Sequence, residues 1–142
     1  MRFTRSLFAL ALMFAAGFTA GQVFRSDVSA QGKKVYELRT YYTNPGKLAD
    51  LNTRFRDHTL KLFEKHGMTN IGYWVPQDEP AHSNTLIYVI AHESREAAKK
   101  NWAEFGKDPE WVKVKTASEA NGKIVEKVDS VYMDATDFSK IK

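Results

Sequence analysis

The stretch Val35–Lys47, "VYELRTYYTNPGK", predicts how the fold begins. Its first part is rich in valine, tyrosine and threonine, a composition typical of a β-strand, and "NPG" ends that run. Asn44 belongs to the residue types that cap helices, and Pro45 suits the first helical position. The sequence therefore predicts a strand that leads through this cap into a helix.

One face of the predicted strand carries charged side chains. Because side chains alternate along an extended chain, Glu37, Arg39 and Tyr41 share one face, and Leu38 lies on the other. Two interpretations of the charged face are open. Glu37 and Arg39 form a structural ion pair, within the sheet or across a dimer interface, or they form the polar end of a ligand pocket.

An amphipathic helix and a hairpin follow this strand. Apolar residues recur at the three-and-four spacing of a one-sided helix from Leu48 onward, and Gly67 is placed to end it. "MTNIGYWVP" and "TLIYVIAH" then have strand composition, with the loop "QDEPAHSN" between them. Their adjacency in sequence predicts an antiparallel hairpin.

A second helix is predicted in two pieces, and a last strand follows it. Ser94 begins the first piece, which ends at Gly106, while Asp108 caps the second piece and Pro109 takes its first position. The last strand is "KIVEKVDSVYM". The order βαββαβ is the ferredoxin-like split arrangement, so we expect an α+β fold with an antiparallel four-stranded sheet.

The free face of this sheet predicts a partner. Two helical segments cover only one face of a four-stranded sheet. The face of the first strand that carries Tyr36, Leu38 and Tyr42 is not polar enough to face water throughout. A second copy of the chain would cover it by symmetry. We therefore expect a homodimer that packs sheet to sheet.

The N-terminus has the pattern of an export signal. "MRFTRS" supplies positive charge, "LFALALMFAAGF" an apolar core, and "VSA" a small-residue cleavage site before Gln31. The uncharged run of residues 7–24 is also about the minimum that can span a bilayer, so a membrane anchor is the alternative to cleavage after Ala30. Both alternatives divide the chain into a leader, residues 1–30, and one exported domain, residues 31–142, which would be periplasmic or extracellular.

Composition limits the classes of function. The chain has 142 residues, enough for one domain, and it contains no cysteine, which excludes disulfide and thiol chemistry. Its net charge of +4 falls to +2 when Arg2, Arg5, Arg25 and Asp27 of the leader are set aside. That excess is too small to predict nucleic-acid binding, and a membrane contact is expected only through an uncleaved leader.

No cofactor or metal motif occurs in the sequence. GxGxxG, GxxxxGK[ST] and GxSxG are absent, so nucleotide, hydride-transfer and serine-hydrolase chemistry have no support. His58 and His66 would lie roughly 12 Å apart along a helix, too far to share one ion. We therefore expect neither a cofactor nor a metal.

Four ordered motifs resemble those of the NIPSNAP family: "YELRTYYTNPGK", "HGMTNIGYW", "NTLIYVIAHESREAAKKNW" and "DPEW". The resemblance covers essentially the whole domain. It implies a ferredoxin-like fold that associates as a dimeric α+β barrel, related to the small cofactor-independent monooxygenases of antibiotic biosynthesis. No catalytic mechanism is established for the family at large, so the resemblance assigns no catalytic residue.

The predicted role is to bind a small apolar or aromatic molecule in a pocket between sheet and helices. A non-enzymatic homodimeric scaffold is the alternative, and in that case the aromatic residues simply form the core. The residues expected at the pocket combine the charged face of the first strand with nearby aromatic side chains: Glu37, Arg39, Tyr41, Trp74, Tyr88 and Trp102.

If the domain is an enzyme, cofactor-independent oxygenation is the chemistry most compatible with the fold. Such a reaction needs a base that removes an acidic proton from the substrate. His58 or His92 is the predicted base, because a histidine titrates near neutral pH, and Arg39 is predicted to steady the oxyanion. For His58 the alternative is a boundary histidine with a satisfied hydrogen bond.

Overall fold

A computed structural model describes residues 33–141 of the chain. The predicted leader, its cleavage site and the potential anchor of residues 7–24 lie outside the described residues. Within the described part, no helix is both long and apolar enough to cross a membrane.

The elements follow the predicted order βαββαβ, and each helical part is divided. The first helical part contains a π-helical turn, Phe55–Thr59, and a short 3₁₀ turn, Ala81–Ser83, lies in the hairpin loop. The strands and α-helices are β1 Val35–Thr43, α1 Leu48–Arg54, α2 Leu60–Lys65, β2 Thr69–Trp74, β3 Thr85–His92, α3 Arg95–Lys107, α4 Pro109–Ser118 and β4 Val125–Asp134.

The four strands form one antiparallel sheet in the order β2-β3-β1-β4. Strand β1 is therefore central, with β3 on one side and β4 on the other. This topology confirms the predicted α+β, ferredoxin-like fold and the β2–β3 hairpin. A charged residue on the helix-facing side of β1 is consequently enclosed by strands on both sides and by helices above.

Strand register confirms the predicted alternation of faces. Arg39 lies opposite Tyr88 on β3 and opposite Ser130 on β4, so these three side chains share one face of the sheet. That face packs under the helices. The core beneath them is formed by Leu51, Phe55, Leu62, Phe63, Met68, Leu86, Tyr88, Ile90, Phe105 and Ile124.

The other face of the sheet carries no helix in the described residues. Trp74 and Val131 are exposed on it, each with 54% of its surface accessible. The C-terminal segment, residues 135–141, borders it and lines a shallow groove together with Tyr36 and Val89. An apolar sheet face of this kind is typical of an interaction surface.

The predicted helix cap at Asn44 is wrong. The helix begins only at Leu48, and Asn44 instead donates a hydrogen bond from Nδ2 to the carbonyl oxygen of Lys123, 2.8 Å away. Its backbone N–H binds the carbonyl oxygen of Ile124 at 2.9 Å. Gly46, with a φ of 73°, then turns the chain before the helix starts. Contacts to the segment before β4 outweighed the local capping preference.

The two-piece second helix has the predicted caps. Ser94 Oγ accepts a hydrogen bond from the backbone N–H of Ala97 at 3.0 Å, and Asp108 Oδ1 accepts one from Glu110 at 2.7 Å. These bonds satisfy backbone donors that have no partner inside the helices. The extended backbone of Asp108, with a φ of −62° and a ψ of 122°, separates α3 from α4.

Asp108 also ties the two helical parts together. Its Oδ2 atom accepts hydrogen bonds from Lys65 Nζ and His66 Nε2, both at 2.7 Å. The hydrogen bond from Lys65, followed by that from His66, holds the pKa of Asp108 well below its usual range. The end of α2 is thereby fixed against the beginning of α4.

Candidate functional site

A buried carboxylate lies at the centre of the helix-facing side of the sheet. Glu37 has no accessible surface. Its Oε1 accepts hydrogen bonds from Arg39 Nη1 and Ser130 Oγ, both at 2.7 Å. Its Oε2 accepts bonds from Trp102 Nε1 at 2.7 Å and His92 Nε2 at 2.9 Å. We call these five residues the Glu37 network.

Four elements contribute to the Glu37 network. Glu37 and Arg39 come from β1, His92 ends β3, and Ser130 lies opposite Arg39 on β4. Trp102 reaches down from α3. The central position of β1 in the sheet is what allows neighbouring strands and a helix to meet around one of its side chains.

The network keeps Glu37 ionised. Burial alone raises the pKa of a carboxyl group, but hydrogen bonds from His92, Ser130, Trp102 and Arg39 outweigh this and lower the pKa of Glu37 to about 2. Charge-assisted hydrogen bonds of this kind are short and strong. Glu37 is thus a fixed negative charge at neutral pH, and it is too weakly basic to remove a proton from a substrate.

Arg39 carries the matching positive charge. Burial lowers the pKa of its guanidinium, but the neighbouring Tyr41, Tyr88 and Glu37 raise it above its usual value. The guanidinium carbon lies 4.2 Å from the ring centre of Trp102 and 5.4 Å from that of Tyr41. These distances are within the range of cation–π attraction. Arg39 therefore holds two aromatic side chains in place as well as the carboxylate.

Three buried polar atoms in or beside the network have no hydrogen-bond partner in the part of the chain that the structure describes. They are Nδ1 of His92, Nε of Arg39 and the hydroxyl of Tyr88. Because Nε2 of His92 donates to Glu37, Nδ1 of the neutral ring is an acceptor of hydrogen bonds. Burial raises the pKa of Tyr88 well above its ordinary value, so its hydroxyl stays neutral.

A cavity of about 480 Å³ lies beside the network, between the sheet and the helices. We call it the aromatic cavity. Tyr41 links it to the Glu37 network, because its ring lines the cavity and also packs against Arg39. The cavity is lined by Tyr41, Arg54, Phe55, Thr59, Phe63, Phe105, Trp111, Lys115, Glu119, Lys123, Val125 and Val128.

The rings that line the cavity pack against one another. Phe55 meets Tyr41 edge to face at 5.8 Å between ring centres, and it meets Phe63 in the same way at 6.0 Å. Phe105 lies 4.5 Å from Trp111. Such contacts restrain the side chains and keep them from collapsing into the space. The cavity walls are therefore largely preformed.

A π-helical turn brings two residues of the first helical part into the cavity wall. Phe55 and Thr59, the first and last residues of that turn, both line the cavity. Thr59 Oγ1 donates a hydrogen bond to the carbonyl oxygen of Arg54 at 3.1 Å. A π turn is a costly irregularity that occurs often at functional sites. Here it widens the helix where the helix borders the cavity.

The structure brings together most of the side chains that the sequence predicted for the pocket. Glu37, Arg39, Tyr88 and Trp102 form a contiguous group with His92 on the helix-facing side of the sheet. Of the six predicted pocket residues, only Tyr41 lines the aromatic cavity itself. The charged pair belongs to the packing beside the cavity and forms an ion pair inside a single chain.

Trp74 does not share a pocket with Trp102. Tyr73 stacks on Tyr88 on the helix-facing side, so the next residue, Trp74, points to the free face of the sheet. Its ring lies over Gly72, where an added Cβ would come within 2.5 Å of it. Trp74, predicted at the pocket, therefore lies apart from the other predicted pocket residues, because adjacent residues of a strand face opposite ways.

His58 and Arg39 do not meet. His58 is exposed on the π turn and lines a separate groove with Asp50 and Ser118, between α1 and α4. Its neighbour Thr59 takes the inward position instead. A joint catalytic role for His58 and Arg39 therefore has no geometric basis.

Sequence reasoning missed the charged part of the cavity wall: Arg54, Lys115, Glu119 and Lys123. A signal did exist for Arg54, which follows Leu51 by three residues and so lies on the apolar side of its helix. Lys115 and Lys123 give no such signal, because lysines are common on exposed helix and loop positions. Ser130 was also missed, since nothing local distinguishes it from other strand serines.

Comparison with known proteins identifies the family. The NIPSNAP family model matches residues 36–140. A NIPSNAP family protein with unknown function from Agrobacterium tumefaciens str. C58 is 20% identical, with a TM-score of 0.67 over 78% of this chain and 96% of that one. An uncharacterised NIPSNAP-like domain protein from Burkholderia xenovorans is 17% identical, with a TM-score of 0.65 over 76% of this chain and 90% of its own.

A monooxygenase from Streptomyces coelicolor, solved in complex with nanaomycin D, has the same fold. It is 14% identical, with a TM-score of 0.54 over 82% of this chain and 100% of that chain. No protein with a curated description matches the sequence. Because the family model spans most of the chain and the structure has the fold of solved family members, the chain belongs to the NIPSNAP family.

Proposed function

We propose that this domain binds a small, largely apolar aromatic molecule in the aromatic cavity. The observation that carries the proposal is a space of about 480 Å³ walled by rings from three helices and the sheet. Ligand pockets of proteins commonly measure about 300–1,000 Å³ and combine apolar walls with few polar groups. The ring-rich wall favours a flat ligand, which can lie against aromatic faces and edges.

The Glu37 network has a supporting role in this proposal. Arg39 packs against Tyr41, which lines the cavity, and Trp102 is fixed by its hydrogen bond to Glu37. Trp102 in turn contacts Phe63 and Phe105, two further residues of the cavity wall. The network thus positions the wall without contacting the ligand.

A tryptophan at Val128 is expected to fill the cavity from the sheet side. Val128 lines the cavity on the edge strand β4 and is 37% exposed, so the larger side chain can be accommodated at the edge of the fold. Ligands found in a thermal-shift screen of quinones, flavins and aromatic acids should lose affinity by about tenfold or more, or about 1.4 kcal/mol. For the wild type, a hundredfold excess over Kd should stabilise the fold by about 2.7 kcal/mol.

Val112→Trp is the matched control for this substitution. Val112 is 49% exposed on α4 and does not line the cavity. The control should bind every ligand as the wild type does. A ligand that binds Val128→Trp and the wild type equally well would place its site elsewhere, and the absence of any ligand across the screen would favour the scaffold role.

Cofactor-independent oxygenation is a second candidate function, supported by the fold shared with monooxygenases. In such a reaction a ring methylene would lose a proton to a base and become a carbonyl, while the second atom of O₂ leaves as water. None of Arg39, His58 and His92 lines the aromatic cavity, so binding has the stronger support. Oxygen uptake with a cavity ligand that carries an acidic methylene would favour oxygenation, and its absence would favour binding alone.

We also propose that the domain is a homodimer that pairs the free faces of two sheets. Its support is the exposed apolar surface at Trp74 and Val131 on that face. Size-exclusion chromatography with light scattering should give twice the mass of one chain at micromolar concentration. Val131→Lys should shift the mass toward that of one chain, since a buried unpaired charge opposes association. A wild-type monomer under these conditions would contradict the proposal.

A further inference from the structure

We infer that the ligand of the aromatic cavity is an aromatic carboxylic acid, whose anionic group is bound by Arg54 with Lys115 and Lys123. This inference rests on the proposed binding function and specifies its ligand class. It comes from the charged side chains of the cavity wall, which the Glu37 network does not include.

Arg54 is the first support. Its side chain is 4% exposed and lines the cavity. Its hydrogen bonds within residues 33–141 both leave from Nη1, to Ser118 Oγ and Glu119 Oε1, each at 3.3 Å. Charge-assisted bonds are usually about 2.7–2.9 Å long, so this pairing is loose. A buried guanidinium with five N–H donors is poorly satisfied by these two contacts.

The Nε atom of Arg54 is a second sign that this side chain lacks partners. It is buried and has no hydrogen-bond partner among the described residues. Leaving a buried donor unpaired costs free energy, whereas a carboxylate can bind the Nε and Nη2 edge of a guanidinium with two parallel bonds. The Nε atom of Arg39 is also buried and unpaired among the described residues, but Arg39 Nη1 lies 2.7 Å from Glu37 Oε1, so the charge of Arg39 already has a close carboxylate partner.

The charges of the cavity wall are unbalanced. Arg54, Lys115 and Lys123 are cationic, and Glu119 is the one carboxylate among the lining residues. Neither lysine forms an ion pair with another residue of the described chain. A cavity with apolar walls concentrates the field of such charges, so an anionic ligand is attracted and a cationic one is repelled.

The position of Trp111 supports the aromatic part of the inferred ligand. The guanidinium of Arg54 lies 5.3 Å from its ring centre, and both side chains line the same cavity. A carboxylate held by Arg54 therefore has an apolar, ring-lined space directly beside it. An aromatic acid satisfies the charge and fills the space with one molecule.

The test compares two probes that differ only in charge. Calorimetric titration of the full chain with 2-naphthoate and with 2-naphthamide should give about tenfold tighter binding for the acid. Lys115→Gln/Lys123→Gln should reduce this preference and leave amide binding unchanged. Lys99→Gln/Lys113→Gln removes the same charge outside the cavity and should bind both probes as the wild type does. Raising the salt concentration should weaken the binding of 2-naphthoate but not that of 2-naphthamide.

Arg54→Lys gives an independent measurement. It keeps the positive charge but loses the two-pronged donor geometry, so naphthoate affinity should fall about tenfold without a matching effect on the amide. Equal affinities for acid and amide in the wild type would overturn the inference while leaving the binding function intact. If neither probe binds and only molecules without a carboxylate bind in a Val128-dependent manner, the inference of an acid is overturned and the proposed binding function stands.

Discussion

Replacing Glu37 with alanine is expected to lower the free energy of unfolding by about 3–5 kcal/mol, enough to unfold many domains of this size. The carboxylate accepts four hydrogen bonds and has no accessible surface. Its removal leaves the charge of Arg39 largely buried and unpaired, and it leaves the N–H groups of Trp102 and His92 without an acceptor. Truncation also opens a cavity in the centre of the sheet.

Glu37→Gln separates charge from shape. The amide has nearly the same size but carries one donor group, and each carboxylate oxygen of Glu37 faces an obligate donor. Placed at Oε1, the amide nitrogen meets Arg39 Nη1, and placed at Oε2 it meets Trp102 Nε1. Neither orientation satisfies the network, so a loss of about 3 kcal/mol or more is expected at neutral pH.

Urea denaturation followed by tryptophan fluorescence and circular dichroism measures these losses. Glu126→Gln, an exposed carboxylate on β4, is the control and should change stability by less than about 0.5 kcal/mol. Glu37→Leu/Arg39→Met, which removes both charges, should recover part of the loss seen for Glu37→Ala. A loss below about 1 kcal/mol for Glu37→Ala would show that the network contributes little to stability.

Local patterns predicted the fold because they agree with the tertiary structure nearly everywhere. The alternation of β1, the caps at Ser94 and Asp108 and the βαββαβ order depend on residues close in sequence. The predicted helix cap at Asn44 was wrong because a contact with a distant residue decided the conformation there. Its hydrogen-bond partner, Lys123, is 79 residues away, and no local rule weighs that contact against a helix cap.

The candidate site was predicted only in part, because the sequence reveals local patterns but not contacts between distant residues. Glu37 and Arg39 were recognised because charge on an enclosed strand is unusual, and this needs only the sequence of β1. Their partners could not be derived, since Ser130 and Trp102 are 93 and 65 residues from Glu37. Arg54 was overlooked because a single arginine near the apolar side of a helix resembles many solvated ones.

The pH dependence of stability is the second large expected effect. The pKa of Glu37 falls from 4.5 to about 2 on folding. At about 1.36 kcal/mol per pKa unit, this shift corresponds to about 3 kcal/mol of stability. The full contribution is present above about pH 4.5, where the carboxylate is ionised in both states.

Acid should remove this contribution in a defined window. Between about pH 4.5 and pH 2 the unfolded chain binds a proton at residue 37 and the folded chain does not, so stability falls as the pH is lowered. Asp108, whose pKa is also lowered by folding, adds to the total acid sensitivity, and the contribution of Glu37 must therefore be isolated by substitution.

The contribution of Glu37 to the acid sensitivity is isolated by comparing the wild type with Glu37→Gln. Glutamine does not titrate, so the difference in unfolding free energy between the two proteins should shrink by about 3 kcal/mol as the pH falls from about 5 towards 2. Glu126→Gln should follow the wild-type profile, since residue 126 is exposed. A difference that stays constant from about pH 5 down to pH 2.5 would mean that folding does not lower the pKa of Glu37, and the hydrogen bonds of the network would then not favour its ionised form.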